Sequence, residues 1–174
     1  WLHGAEDEAQ MVALLRAGYG DTYSHRGLYE PGTFLALWES RRLASLGWFD
    51  DEGQLRAHTG FFFKDDRADF VESGLSIVVP TARRERQRTR EAALWEWLRQ
   101  ELCQCAAFLN QHTTTLHPGA QLYARRYMKA QLCGLIPEYV TGEQVLGLAE
   151  RGDTMHALMM TTCMRPLPAE RSAI

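Results

Sequence analysis

The sequence predicts a mixed α/β (α+β) fold, in which a central, mostly antiparallel sheet carries helices on both faces. Three observations support this prediction. Strand-like segments separated by short polar turns follow one another from Leu43 to Val79. An amphipathic helical pattern then runs from about Arg84 to Cys105, and a short apolar run follows from Ala106 to Leu109. Strands therefore precede and follow a helix that is long enough to cross over the sheet.

Two helices are predicted before the first strand of this series. A short strand from Trp1 to Ala5 is expected first, and the acidic residues 6–8 favour a helix N-terminus after it. Glycines at 18 and 20 end this helix, and Pro31 suits the first turn of the next one. Between the helices, Tyr19 to Tyr29 is interpreted as an ordered loop over a pocket, or alternatively as a surface loop with packed tyrosines.

The strands are predicted to form an antiparallel meander that continues into a parallel pair. The three meander strands are Leu43–Phe49, Gln54–Phe63 and Phe70–Val79. The run Ala106–Leu109 is expected to be a buried parallel strand, because a right-handed helical crossover returns the chain in the same direction. Further along, we expect a helix from His117, a strand from Gln131 to Tyr139 interrupted by Pro137, a polar insertion, and a last strand from Met155 to Leu167.

The composition indicates a single domain covering residues 1–174. Hydrophobic residues make up 45% of the 174 residues, which is enough for a core of ordinary size. The formal net charge of -3 argues against nucleic acid or an anionic membrane as a partner. No apolar run approaches the roughly 18 residues that span a bilayer, and no signal peptide is visible. We therefore expect a cytoplasmic protein, with Cys103, Cys105, Cys133 and Cys163 as buried free thiols.

The segment from Glu72 to Arg90 carries the clearest functional signal. An apolar, β-branched run stops at Pro80, and an arginine-dense segment then opens the long helix. Unpaired N–H groups at a helix N-terminus and arginine side chains together favour a phosphate-bearing ligand. The alternative interpretation is a solvated helix face, because Glu85 and Glu91 alternate with the arginines.

Two segments resemble those of the general N-acetyltransferase (GNAT) superfamily. They are Ser76-Ile-Val-Val-Pro80 before the arginine-rich helix, and Leu122-Tyr-Ala-Arg-Arg-Tyr-Met128. The segments 19–23 and 28–31 are similar to a bacterial subgroup in which the domain is often associated with a regulatory ATP-binding domain. The resemblance implies transfer of an acyl group from acetyl-CoA to a small-molecule or protein amine. A homodimer, or a fused or associated regulatory domain, is left open as a partner.

The resemblance also implies a cofactor site. The backbone of Ile77, Val78 and Val79 would bind the pantetheine arm, and the loop after this strand would wrap the pyrophosphate. The residues implied in that loop are Arg83, Arg84, Arg86, Gln87 and Arg88. Arg86 and Arg88 stand where the family has glycine or alanine. A second hypothesis is therefore a catalytically degenerate module that keeps the fold for binding or regulation.

Catalytic residues follow from the same resemblance. Tyr123 would act as the general acid that protonates the departing thiolate, and Glu72 as the general base for the amine. The alternatives are a core tyrosine on an amphipathic helix and a solvent-exposed carboxylate at a strand start. The acceptor pocket is expected to be lined by Tyr23, His25, Tyr29, His112 and His117. No metal site is expected, because two histidines five residues apart in a loop are not a metal signature.

Overall fold

The computed structural model describes residues 1–64, 69–79, 96–104, 106–114, 118–141 and 154–164. Its helices are α1 (Ala5–Tyr19), α2 (Thr33–Glu39), α3 (96–102) and α4 (Pro118–Arg126), with a short 3-10 helix at Arg26–Tyr29. Its strands are β1 (Leu43–Phe49), β2 (Leu55–Phe63), β3 (Phe70–Val78), β4 (Phe108–Thr114), β5 (Gln131–Thr141) and β6 (Thr154–Cys163). None of the described helices is long and apolar enough to cross a membrane.

The six strands form one sheet in the order β1-β2-β3-β4-β6-β5. The pairs β1–β2, β2–β3, β4–β6 and β5–β6 are antiparallel, and β3–β4 is parallel. The predicted meander and the parallel pair after the crossover are therefore confirmed. The parallel junction lies in the middle of the sheet, where both strands are flanked by antiparallel neighbours.

Two sequence-based expectations about strands were wrong. Residues 1–5 do not form a strand, because α1 begins at Ala5 and only an isolated bridge joins Leu2 to Ser45. The Asp7 carboxylate accepts hydrogen bonds from the amides of His3 and Gly4, both at 3.0 Å, which fixes the helix start there. The parallel strand extends beyond Leu109 to Thr114, because its polar second half pairs with β6.

The expectation of buried thiols was wrong for two of the cysteines. Cys133 and Cys163 are exposed and Cys103 is partly buried, and none of these three is in a disulfide. Cys133 lies on β5, which is an edge strand of the sheet, so one side of its backbone faces no neighbouring described strand. Cys105 lies outside the described residues.

Helices cover both faces of the sheet, as predicted. One core cluster packs α1 and α2 against the sheet, and it contains Met11, Leu15, Phe34, Leu75 and Ile77. A second cluster includes residues of α3 together with sheet residues, and it contains Val71, Leu98, Leu102, Leu109 and Met128. Successive strand residues point to opposite faces of the sheet. Membership of one cluster or the other therefore identifies the face on which each side chain of β3 and β4 lies.

The end of α1 lies directly against β3. A Cβ added to Gly18 would come within 2.7 Å of Cγ2 of Ile77, so the helix backbone can approach the strand only because this residue is glycine. The start of α2 is tied to α1 by the Glu8 carboxylate, which accepts from the amides of Gly32 at 3.0 Å and Leu35 at 3.2 Å. The loop between the two helices is therefore anchored at both ends.

Candidate active site

A gap opens between the two parallel strands of the sheet. β3 and β4 pair over four positions, from Phe70 opposite Phe108 to Ser73 opposite Gln111. Beyond this point β3 continues to Val78 beside β2, and β4 continues to Thr114 beside β6. In the described part of the chain, the second half of β3 therefore has a strand partner on one side only.

A β-bulge in β3 lies immediately after the last position paired with β4. His58 is opposite Ile77 and Gly60 is opposite Gly74, so Thr59 faces two residues, Leu75 and Ser76. Leu75 has a φ of +52°, in the left-handed region that non-glycine residues rarely adopt. A bulge bends its strand and increases the local twist, which is the distortion needed for β3 to leave β4.

A group of polar side chains lies at the mouth of this gap, on the α1/α2 face of the sheet. Glu72 of β3 and His112 of β4 alternate with Val71 and Leu109 of the second cluster, so they face the opposite side. Oε1 of Glu72 lies 3.5 Å from Nδ1 of His112, and its Oε2 lies 3.1 Å from Nζ of Lys64. The carboxylate therefore connects a lysine to an imidazole within the sheet.

Tyr139 reaches the same group from the far edge of the sheet. Its hydroxyl lies 3.3 Å from Nδ1 of His112, and the two rings meet edge to face with centroids 5.4 Å apart. The register of β5 against β6 shifts between Ile136 and Val140, where Pro137 lacks an amide for the ladder. This bulge is what re-aims a side chain of an edge strand toward β4.

Tyr23 brings the loop between α1 and α2 to the gap. Burial raises the pKa of its phenol, the neighbouring Tyr19 and Tyr139 and the Glu72 carboxylate raise this pKa further, and a hydrogen bond with the Leu75 backbone lowers it. Burial, and then the charge of Glu72, also raise the pKa of Tyr139. Both phenols therefore stay protonated at neutral pH and can donate hydrogen bonds to a bound molecule.

The structure brings some of the predicted acceptor residues together. Tyr23, Glu72 and His112 lie at one site, and the hydroxyl of Tyr29 accepts from the Tyr23 amide at 3.2 Å. His25 is exposed, with its ring centroid 5.9 Å from that of Tyr23, so it lies at the outer rim. The predicted site residues outside the described part of the chain are Arg83, Arg84, Arg86, Gln87, Arg88 and His117.

The remaining predicted residues lie along the gap or behind it. Ile77 is buried in the first cluster, and Val78 and Val79 are partly buried at the end of β3. Tyr123 of α4 packs against the second cluster, with its ring 5.2 Å from that of Tyr127. It therefore lies on the face of the sheet opposite to Glu72. The described residues contain no group of three or more potential metal ligands.

Sequence reasoning missed Lys64 and Tyr139 at this site. A signal for Tyr139 is present, since Pro137 inside a strand pattern marks a bulge or an edge strand. The contact of Tyr139 with β4 still depends on the strand order, because β5 lies beyond β6 in the sheet. Lys64 follows β2 in a polar turn, where nothing in its sequence context distinguishes it from a solvated lysine.

Comparisons with solved structures show to which fold this geometry belongs. A GNAT superfamily phosphinothricin acetyltransferase from Sinorhizobium meliloti in complex with acetyl-CoA matches with a TM-score of 0.64 and 16% identity, over 94% of this chain and 85% of that chain. The ribosomal-protein-alanine N-acetyltransferase from Escherichia coli matches with a TM-score of 0.66 and 15% identity, over 95% and 93%.

A variant of spermidine N-acetyltransferase from Vibrio cholerae matches with a TM-score of 0.67 and 9% identity, over 92% of each chain. No protein-family model matches the sequence, and no curated protein does. At these identities the likeness concerns the fold. The chain has the GNAT acyltransferase fold, with a sheet that opens between its two central parallel strands.

Proposed function

We propose that this protein is an acyl-CoA-dependent N-acyltransferase that transfers an acetyl group to an amine. The observation that carries the proposal is the gap beyond Ser73 and Gln111, where β3 runs on without β4. The pantetheine arm of acetyl-CoA contains two amides, and such an extended chain can replace the missing strand by pairing with the backbone of β3. The backbone around Val78 would form this contact, because the Val79 amide already donates to the Arg56 carbonyl at 3.0 Å.

The side chains at the mouth of the gap suit the first half of the reaction. The amine nitrogen attacks the thioester carbonyl, a C–N bond forms, and the C–S bond breaks to release coenzyme A as a thiolate. Glu72 takes the proton that the amine loses, directly or through a water molecule, with His112 beside it at 3.5 Å. Backbone N–H groups near Val78 stabilise the charge that develops on the carbonyl oxygen.

Tyr123 suits the second half of the reaction, from the other face of the sheet. The gap separates two strands, so the reacting thioester is accessible from the α4 side as well as from the Glu72 side. A phenol with an ordinary pKa of about 10 is a suitable proton donor to a leaving thiolate. We assign Tyr123 as the general acid.

The acceptor is an amine that enters between the α1–α2 loop and β4. Tyr23, Tyr29 and His25 from the loop, with His112 and His117 from the other side, would contact it. The structural neighbours include N-acetyltransferases for a protein alanine and for spermidine, and both of these acceptors are amines. Arg83, Arg84, Arg86, Gln87 and Arg88 would bind the pyrophosphate through charge-assisted hydrogen bonds.

One observation favours the second candidate, a degenerate binding module. The Glu72 carboxylate contacts Nζ of Lys64 at 3.1 Å and Nδ1 of His112 at 3.5 Å, so both of its oxygens already have partners within the protein. Arginine at the family's glycine positions also favours the degenerate module, because an arginine side chain can occupy the space of a phosphate. If the protein is such a module, we expect no acyl transfer to any amine.

Calorimetric titration with acetyl-CoA tests the proposal, followed by a thiol-release assay with a panel of amines. We expect saturable binding and amine-dependent release of coenzyme A. Because Cys133 and Cys163 are exposed and react with the same thiol reagent, a reaction without amine serves as the blank. Binding without release for every amine would favour the degenerate module. The absence of binding at millimolar acetyl-CoA would contradict the proposed function.

A further inference from the structure

The bulge residue Leu75 is in a conformation that its own side chain does not favour. A φ of +52° suits glycine or asparagine, and leucine adopts it only when its surroundings hold it there. The side chain is buried in the first core cluster, so the conformation has a packing reason. Packing of the side chain does not satisfy the two backbone polar groups of Leu75, which a regular ladder would have paired.

A buried histidine binds the backbone carbonyl of Leu75. Nδ1 of His58 lies 2.8 Å from this oxygen, and His58 is only 3% exposed. A carbonyl can only accept, so the imidazole carries its proton on Nδ1 and donates it to Leu75. Burial lowers the pKa of His58 to about 4, which keeps the ring neutral at physiological pH. Its Nε2 has no hydrogen-bond partner in the described part of the chain.

Glycine at position 60 makes room for this ring. A Cβ at Gly60 would lie 3.3 Å from Cε1 of His58 and 3.3 Å from the carbonyl oxygen of Gly74, across the strand pair. Thus β2 has a small residue next to its histidine on the same face of the sheet. The local sequence of β2 therefore accommodates an imidazole at the bulge of β3.

Leu75 also lies next to the candidate acceptor pocket. Burial raises the pKa of the Tyr23 phenol, and the Leu75 backbone lowers it. His58 of β2 and Tyr23 of the α1–α2 loop are therefore both neighbours of this one residue. That residue lies two positions after Ser73, where β3 stops pairing with β4.

We infer that His58 is a positioning residue for acyl-CoA binding. Its imidazole holds the Leu75 carbonyl, and thereby keeps residues 76–79 of β3 aligned along the gap in the conformation that pairs with the pantetheine arm. The inference rests on the proposed function, and it assigns to this chain a residue that acts on the ligand through the backbone and does not touch it.

The test compares His58→Asn with His58→Leu. The amide nitrogen of asparagine occupies nearly the position of Nδ1 and can donate to Leu75, whereas leucine fills the space without a donor. Two quantities are measured, the amide hydrogen exchange of residues 75–79 in the unliganded protein and the acetyl-CoA dissociation constant. For His58→Leu we expect at least tenfold faster exchange and at least tenfold weaker binding. For His58→Asn we expect both quantities within threefold of the parent.

Equal behaviour of the two variants, or unchanged exchange in His58→Leu, would overturn the inference. The exchange measurement needs no ligand, so it tests whether His58 positions residues 75–79 even if the parent protein does not bind acetyl-CoA. A parent protein that does not bind acetyl-CoA would contradict only the proposed function. If His58→Leu does not fold, His58→Gln takes its place. The side-chain amide of glutamine lies one carbon further out than that of asparagine, so it misses the Leu75 carbonyl. The same losses are expected for that variant.

Discussion

The two halves of β3 differ in what they pair with. Residues 71–73 lie between β2 and β4 and have strand partners on both sides, and next to them the rings of Phe70 and Phe108 stack at 5.0 Å. Residues 74–78 pair with β2, and in the described part of the chain no strand lies on their other side. One strand therefore serves as structural support in its first half and as a candidate binding edge in its second half.

The candidate site therefore depends on backbone geometry more than on unusual side chains. The second half, Gly74 to Val78, reads as an ordinary apolar strand in the sequence. A single bulge at Leu75 changes its role, because it turns the strand away from β4 just where Glu72 and His112 face each other. Four substitutions or titrations test this contrast, beginning with the largest expected effect.

Removing the charge of Glu72 should have the largest effect on activity. In the Glu72→Gln variant we expect kcat/KM for the amine to fall by about 10²–10³-fold, because general base catalysis typically contributes about that much. Acetyl-CoA affinity should remain within threefold, since this side chain belongs to the paired half of β3. Steady-state kinetics and calorimetry measure the two quantities, with Glu52→Gln in an exposed turn as the control. An active Glu72→Gln enzyme would remove this residue as the base.

Acid should destabilise the protein through His58. Burial lowers its folded-state pKa to about 4, below the ordinary value of 6.5, so the unfolded state binds more protons between these two pH values. The contribution of His58 to stability is complete above pH 6.5 and is lost as the pH falls toward 4, by about 3 kcal/mol in total. Denaturant unfolding at several pH values measures it. The His58→Asn variant should lack this part of the pH dependence, and an equal slope in both proteins would contradict the assignment.

A substitution of Tyr123 tests the proposed general acid on the opposite face of the sheet. In Tyr123→Phe we expect kcat to fall about 10–100-fold with little change in acetyl-CoA affinity, because only protonation of the thiolate is affected. Tyr127→Phe is the matched control, since its ring lies 5.2 Å from that of Tyr123, in the turn that follows α4. If the two variants have equal rates, Tyr123 is a packing residue and the acid lies elsewhere.

The smallest expected effect concerns the contact between α1 and the second half of β3. Gly18→Ala places a methyl group 2.7 Å from Cγ2 of Ile77, and such overpacking typically costs about 1–3 kcal/mol. Alanine is also the better helix former by about 1 kcal/mol, which offsets part of this loss. Thermal unfolding should show a net destabilisation. Gly27→Ala, where an added Cβ meets nothing within 4 Å, should unfold at the parental temperature.

The sequence was sufficient to predict the sheet and its central parallel pair. Alternating apolar patterns and polar turns predicted β1, β2 and β3 to within a residue at each end, and the long helix predicted the parallel strand after it. The fold followed from this topology, whereas the expectation that Glu72, Tyr23 and His112 lie at one site depended also on the resemblance to the family. Their roles in binding and catalysis remain predictions.

The rest could not be predicted from patterns, for two physical reasons. The bulges at Leu75 and near Pro137 change register by one or two residues, and hydrophobic periodicity does not locate such shifts. Contacts such as those of Tyr139 with His112 and of Lys64 with Glu72 depend on those registers and on the strand order. The role of His58 depends on a backbone carbonyl that has no sequence signature.

Amide hydrogen exchange of β3, measured by NMR with and without saturating acetyl-CoA, tests the central claim most directly. We expect acetyl-CoA to slow the exchange of backbone amides within residues 74–79, while residues 71–73, which are already paired on both sides, change little. Unchanged exchange at residues 74–79 with bound acetyl-CoA would show that the ligand binds elsewhere, and would contradict the assignment of this edge as the binding site.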